Sequence, residues 1–408
     1  MNTLLLTCLG FTTISFIQFS LFGTALPIIV LDLGIGYDLV GILMALWTLI
    51  SVVVALIFAK YLDSINIFWL AILELAILSI SSLLTAFSYD LAMLNLARIL
   101  LSFSMPFIWP ICAKIVSMYV TSRRYGYSTA IYNIGSVIGL ALTYIIITLV
   151  DNNWRTSMII SGVIGLTYIP IMFSMWRFIT KGMKTYVILK DENRYRFNNL
   201  FELNKNFTLL GILLFFAFFF ALYTWGFIVN WLSTFLIYEL KFSYRYVALY
   251  MILIAIVASF LEITAGKYSD SIGGLEGKIR ILYIGLIPSA ILLLLSTILS
   301  DTLARMISIT FSIAIYRIAT PSFWSIVNEV IPVKYIGKFS AIYTLAGPLA
   351  GITSSILNGY IVALTNSIKY GVILASTSAF ISIMIYTVAR RFYINTVINY
   401  KSKPEILP

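Results

Sequence analysis

The chain has 408 residues, of which 61% are hydrophobic and 11% charged, at a mean hydropathy of +1.00. Ordinary soluble domains are about 45–50% apolar and about 25% charged. The surplus therefore excludes a cytosolic or secreted globular fold, a disordered chain and a nucleic-acid binder, and leaves lipid as the solvent. The chain has no His, which removes histidine metal sites and Ser-His or Cys-His nucleophilic machinery. Cys8 and Cys112 lie in apolar runs without ligand spacing and read as small buried side chains, not as a zinc site or a disulfide. Neither a metal nor a cofactor is expected.

A bilayer core takes about 20 mostly apolar residues per helix. Interrupting the sequence at its charge and turn clusters gives twelve such runs, at 4–30, 40–59, 67–88, 92–118, 126–150, 156–176, 207–236, 245–266, 279–299, 303–331, 338–363 and 370–390. The first is too long for a signal peptide and has no basic leading region, so it reads as a true span. The expected organisation is a six-helix bundle over 1–176, a central loop over 177–206, a second six-helix bundle over 207–392 and a tail over 393–408. With the N-terminus inside, 20 of the 27 Lys and Arg fall on the inner face. Five (Arg155, Lys241, Arg245, Arg305 and Lys369) fall outside, and Arg98 and Arg317 lie within spans. That asymmetry places both termini in the cytoplasm of a multi-pass protein of the cell membrane, and makes the +11 net charge chiefly an orienting device.

The halves repeat each other. Residues 59–66 (AKYLDSIN) and 266–273 (GKYSDSIG) share five of eight positions at an offset of 207. Tyr37, Val40, Met44 and Leu46 meet Tyr244, Val247, Met251 and Leu253 at the same offset, as Leu96-Ala-Arg98 meets Leu303-Ala-Arg305. Further on the offset is 211, pairing Pro110 with Pro321, Gly126 with Gly337 and Tyr132 with Tyr343. Tandem six-helix repeats of one orientation imply a two-fold axis along the membrane normal, with a site where the halves meet.

These motifs resemble the major facilitator superfamily over nearly the whole chain. The family's Gly-x-x-x-Asp loop signature stands degenerately at Ala59–Asp63 and more fully at Gly266, Asp270 and Gly273. Asn153-Trp154-Arg155, Gly135-x-x-x-Gly139 and Gly347-Pro348-Leu-Ala-Gly351 are also similar to family patterns. The resemblance implies an all-α integral membrane fold of two pseudo-symmetric six-helix bundles, and a secondary transporter working by alternating access. It also implies a gating role for Asp63 and Asp270, each docked at a helix N-terminus of the opposite half, near Gly337 and Gly126 respectively, where partial positive charge favours a carboxylate; the plainer reading is a solvated turn acid. Asp63 lacks the basic cluster that usually follows it, and Ser136 stands where antiporters of the family carry Pro.

Charges inside lipid spans are costly and functional by default. Arg317 lies mid-span, with Pro321, Trp324 and Asn328 following at i+4, i+7 and i+11 on one face. The fourth span carries Arg98, Ser102, Met105 and Trp109 at similar spacing, with Arg98 near enough to the end to snorkel. Gln18, Asn133, Tyr223 and Asn230 complete the candidate solute cavity, each with interhelical hydrogen bonding as its plainer role. Trp225 and Trp231 read as interfacial anchors. Without His, proton coupling rests on carboxylates, of which Glu262 is favoured over Glu74, with pairing to a nearby cation as the structural alternative. The expectation is a monomer that moves a small organic solute, an organic anion by the sign of Arg317, with H+ as coupling ion. A multidrug or metabolite efflux antiporter, a polytopic enzyme acting on lipid-linked substrates and a non-transporting sensor are the rivals.

Overall fold

The computed structural model describes residues 2–58, 65–119, 125–182, 205–272, 274–330, 339–340 and 342–401. Twelve helices are long and apolar enough to cross a membrane. In chain order they are α1 (Asn2–Leu33), α2 (Tyr37–Phe58), α3 (Ile67–Ala86), α4 in two pieces (Leu91–Ser104 and Ile108–Tyr119), α5 in two pieces (Tyr125–Asn133 and Gly135–Leu149) and α6 (Trp154–Gly182). The second half holds α7 (Lys205–Ser233, closing in a π-turn over Thr234–Glu239), α8 (Tyr244–Ile272), α9 (Gly274–Ile298), α10 (Thr302–Val330), α11 (Ala346–Thr365) and α12 (Lys369–Lys401). No strand occurs among the described residues.

Local sequence chemistry sets the helix ends and breaks. Asn66 and Asp90 cap α3 and α4 by accepting the Phe68 and Met93 amides at 3.0 and 2.8 Å, and Asp301 caps α10 through Ala304 N–H at 2.7 Å. Pro106 sits in the 3₁₀ turn Met105–Phe107 that divides α4, as a residue without an N–H must loosen the helical ladder. The caps also correct one register. Asp90 and Asp301 begin α4 and α10 at an offset of 211, so the Leu96-Ala-Arg98 match to Leu303-Ala-Arg305 is one turn out of structural register. A four-residue slip nearly preserves a helical face. The inserted residues belong to the longer α9, 25 residues against 20 in α3.

Two boundaries move. α8 runs to Ile272, so Gly266 and Asp270 are helical, and buried Lys278 donates to the Ser269 hydroxyl at 2.6 Å, placing a cation at that helix C-terminus. α12 runs to Lys401, through the expected start of the tail at 393, and α6 reaches Gly182 inside the expected central loop.

Each half keeps an apolar core of its own. One gathers Leu4, Cys8, Phe68, Ile111 and Met172; the other gathers Leu214, Phe218, Leu282, Phe323 and Tyr386. A third core joins the halves through Phe22, Trp47 and Tyr144 on one side and Phe227, Trp231 and Val247 on the other. It lies toward the end of the bundle opposite the two termini, here the far end. There Tyr244 Oη donates to the Thr24 carbonyl at 3.0 Å, and the Tyr37 ring lies 6.2 Å from Trp231 and 5.8 Å from Tyr238. Backbones also touch: a Cβ on Gly359 would stand 2.6 Å from the Tyr37 carbonyl oxygen, and one on Gly41 would meet the Ser355 carbonyl oxygen. Only glycine permits α2 and α11 to approach this closely, and the far end is closed.

Acids at the far end hold each half together. Asp32, at the end of α1, accepts from Trp154 Nε1 at 3.2 Å and pairs with Arg155 at the start of α6. Glu239, 207 residues on, accepts the Ser367 hydroxyl at 2.9 Å and the Ile368 amide at 3.0 Å, just before α12.

Candidate functional site

Midway through α5 the helix breaks at Ile134, directly before Gly135-Ser136, a pairing typical of helix kinks. Gly135 packs against Thr12 and Thr13 of α1 where no side chain fits. Val137 N–H bonds the Ile134 carbonyl at 3.1 Å instead of reaching back to Asn133. The Asn133 carbonyl is thereby released to the interior, where it accepts Ser136 Oγ at 2.7 Å and Arg317 Nη2 at 3.0 Å. α11 has the matching break at Leu345, offset by 211.

Arg317 of α10 lies against Glu262 of α8, with Nη2 and Nε at 2.7 and 2.8 Å from Oε2. Both side chains are buried, at 3% and 0% exposure. Asn133 Nδ2 donates to Glu262 Oε1 at 2.5 Å. Trp225 lies with its ring 4.8 Å from the Arg317 guanidinium and stacks on Tyr316 at 6.0 Å. The ion pair is internal to the second half, whereas both bonds to Asn133 cross between halves. A buried pair of this kind adds little net stability, because desolvation offsets most of the attraction, yet removing one partner costs about 3–5 kcal/mol. Its chemistry is that of a lock: a carboxylate holds a guanidinium, and an amide of the other half reads both.

Arg98 is placed differently. Its residue is 4% exposed, and its guanidinium lies 4.7 Å from the Phe22 ring and 5.4 Å from Trp47. It does not snorkel: Phe22 and Trp47 cover it. Its Nε and Nη1 have no hydrogen-bond partner among the described residues. Two cation–π contacts give roughly 0.5–2 kcal/mol each, less than the several kcal/mol that a buried ion costs. Beside it lies a cavity of about 30 Å³, with Thr48, Ser102 and Asn230 as its other polar lining.

The remaining candidates divide. Gln18 is turned into the first half, donating to Ser79 Oγ at 2.8 Å and the Ser161 carbonyl at 3.2 Å, away from the seam. Glu74 pairs with no cation among the described residues; its Oε2 accepts the Ser15 hydroxyl at 3.3 Å. Tyr223 Oη accepts Asn358 Nδ2 at 3.3 Å, joining α7 to α11. Trp109 lies 6.2 Å from Tyr132, and Trp324 packs edge-on against Phe218 at 5.4 Å. Trp225 and Trp231 are not interfacial anchors: Trp231 is fully buried and Trp225 covers Arg317, because their faces of α7 turn to the seam. Asp63, Gly273, Gly337 and the side chains of Asp270 and Asn328 lie outside the described residues. Cys8 and Cys112 are both buried and unbridged. Sequence reading missed the Asn133 backbone carbonyl and the Trp225 ring. The Gly135-Ser136 pair was the available signal for the first.

Twelve apolar helices in two related bundles, joined across their seam by the bonds from Asn133 to a buried ion pair, define a polytopic membrane protein. Residues 8–355 match the Major Facilitator Superfamily, and the chain belongs to that family. Among solved structures it is similar to a bacterial homolog of the human lysosomal transporter Spinster. The inward-facing, unoccupied form gives a TM-score of 0.67 at 15% identity, covering 96% of both chains. The inward-facing, occupied form gives 0.64 at 14%, covering 96% of this chain and 95% of that one. No curated protein matches the sequence.

Proposed function

We propose that this transporter moves a small organic solute by proton-coupled alternating access, with Glu262, Arg317 and Asn133 as the coupling lock. One observation carries the reading: the ion pair lies within one half while both of its bonds to Asn133 reach the other. A proton on Glu262 removes the charge that holds Arg317 and weakens the charge-assisted bond from Asn133, so the halves are freed to rock when the carboxyl is protonated. Rocking about the midplane then exchanges the closed far end for an opening there, and deprotonation restores the lock. In this reading the termini lie in the cytoplasm, as the basic-residue asymmetry indicates.

Proteoliposomes containing a pH-sensitive dye test the coupling. Addition of a transported solute moves protons with the wild type. Glu262→Gln, which cannot ionise, abolishes proton movement and gradient-driven accumulation but keeps solute exchange between the two sides. Proton movement equal to wild type in Glu262→Gln, or unchanged transport of every solute in Arg317→Ala, overturns the assignment.

A further inference from the structure

Arg317 carries its own counter-ion, whereas Arg98 has none among the described residues. Among the described residues no carboxylate forms an ion pair with Arg98, and two of its nitrogens are buried without a partner. Lipid-spanning helices rarely keep such a charge unless something compensates for it. Two aromatic faces supply only part of that compensation.

The surroundings specify what would supply the rest. The adjoining cavity of about 30 Å³ has room for about two water molecules, since one requires roughly 10–15 Å³. That is the size of a carboxylate head. Asn230 lines it with an amide, and Phe19, Phe22 and Trp47 with apolar faces, whereas the Thr48 and Ser102 hydroxyls that also line it donate to the Met44 and Arg98 carbonyls at 2.8 and 3.0 Å. Asn230 belongs to α7 of the second half, whereas the other residues named here belong to the first. The cavity is therefore on the seam and changes shape as the halves move.

We propose that Arg98 is the anchor of an anion subsite that takes the carboxylate of an amphipathic aromatic or aliphatic acid, with Asn230 as its cross-half contact. The inference rests on the transporter reading above and names its solute class. The existence of the subsite does not depend on the Glu262 lock, because an anion can bind at equilibrium with or without proton coupling. The guanidinium takes the carboxylate by charge-assisted hydrogen bonds along the edge that Nε shares with Nη2, and the ring or chain lies against the aromatic faces. A neutral isostere leaves those nitrogens as they are and gains only the apolar contact.

The test uses the full chain in nanodiscs and 4-fluorobenzoate, followed by ¹⁹F NMR line broadening, with 4-fluorobenzyl alcohol as the neutral twin. The wild type binds the acid saturably and at least tenfold tighter than the alcohol. Arg98→Met weakens the acid at least tenfold and leaves the alcohol unchanged, Arg98→Lys keeps part of the affinity, and Arg245→Met, which removes an exposed charge at the start of α8, binds it as the wild type does. Without probe, Arg98→Met unfolds at a temperature no lower than the wild type, because the buried charge it removes has no structural partner. A lower unfolding temperature assigns Arg98 a structural role and overturns the proposal. So do equal binding of acid and alcohol, acid binding retained in Arg98→Met, absence of saturable binding to the wild type, and displacement of the acid by equimolar chloride, which marks a halide site. Loss of proton movement in Glu262→Gln with this binding intact leaves both readings standing. Binding intact with normal proton movement in Glu262→Gln sinks only the lock.

Discussion

Asn133→Leu isolates the part of the lock that crosses between halves. The substitution keeps the branched side-chain shape and its number of heavy atoms, leaves the Glu262–Arg317 pair in place and leaves the backbone carbonyl that Arg317 uses. It removes one bond, Asn133 Nδ2 to Glu262 Oε1 at 2.5 Å, between an amide and a buried carboxylate. Hydrogen bonds to charged groups contribute about 1.5–3 kcal/mol. If the bond exists only when the far end is closed, its loss lowers the ratio of far-end-closed to far-end-open molecules by roughly 10- to 150-fold. Spin labels at Tyr89→Cys in the first half and Leu364→Cys in the second, 72% and 81% exposed, read that ratio as a distance distribution. Cys8→Ala and Cys112→Ala clear the background. A longer-distance population at the far end is expected to grow in Asn133→Leu. A ratio within threefold of the parent would refute the reasoning, since the bond would then persist in both conformations or contribute nothing.

Two further outcomes follow from the same geometry. Glu262→Leu leaves the Arg317 guanidinium buried without a counter-ion and destabilises the protein by about 3–5 kcal/mol, whereas Glu262→Leu with Arg317→Leu recovers most of that loss; thermal unfolding in detergent of the two single variants and the double variant measures the coupling, and additive losses would count against it. Gly41→Ala drives a Cβ against the Ser355 carbonyl across the closed far end. Such overpacking costs about 1–3 kcal/mol, charged to the far-end-closed conformation alone, so the same spin-label pair should again report opening, and an unaltered distribution would mean that α2 and α11 stay in contact throughout.

The spans were legible because lipid imposes length and apolarity together, and the repeat was legible because duplicated helices keep their turn residues. Arg317 and Glu262 were legible singly, as charges in apolar runs. Their partnership was not, because they lie 55 residues apart, and helical periodicity does not say which faces of α8 and α10 meet. Asn133 read only as an amide donor, since a released backbone carbonyl leaves no mark beyond the Gly135-Ser136 pair beside it. Gln18 misled for the converse reason: a polar residue on a mostly apolar helix signals a partner, and Ser79 inside the bundle satisfies it as well as a solute would. The burial of Arg98 depended on two rings from α1 and α2, which no spacing within α4 encodes.

The two intramembrane arginines are complementary in how they meet the opposite half. Arg317, in the second half, reaches Asn133 of the first, and Arg98, in the first half, shares its cavity with Asn230 of the second. A rigid rocking of one bundle against the other cannot alter one contact and leave the other alone, because both asparagines lie on the moving seam. Charge compensation nevertheless differs. Arg317 is paired from within its own half, so its counter-ion travels with it and only the link to Asn133 crosses between halves. Among the described residues Arg98 has aromatic faces alone, so an anion at the proposed subsite stabilises whichever conformation brings Asn230 within reach. In the proposed cycle, protonation at one site and anion binding at the other bias a single equilibrium. By linkage each must change the other's affinity by the same factor, which gives the two halves a common coupling without any direct contact between proton and solute.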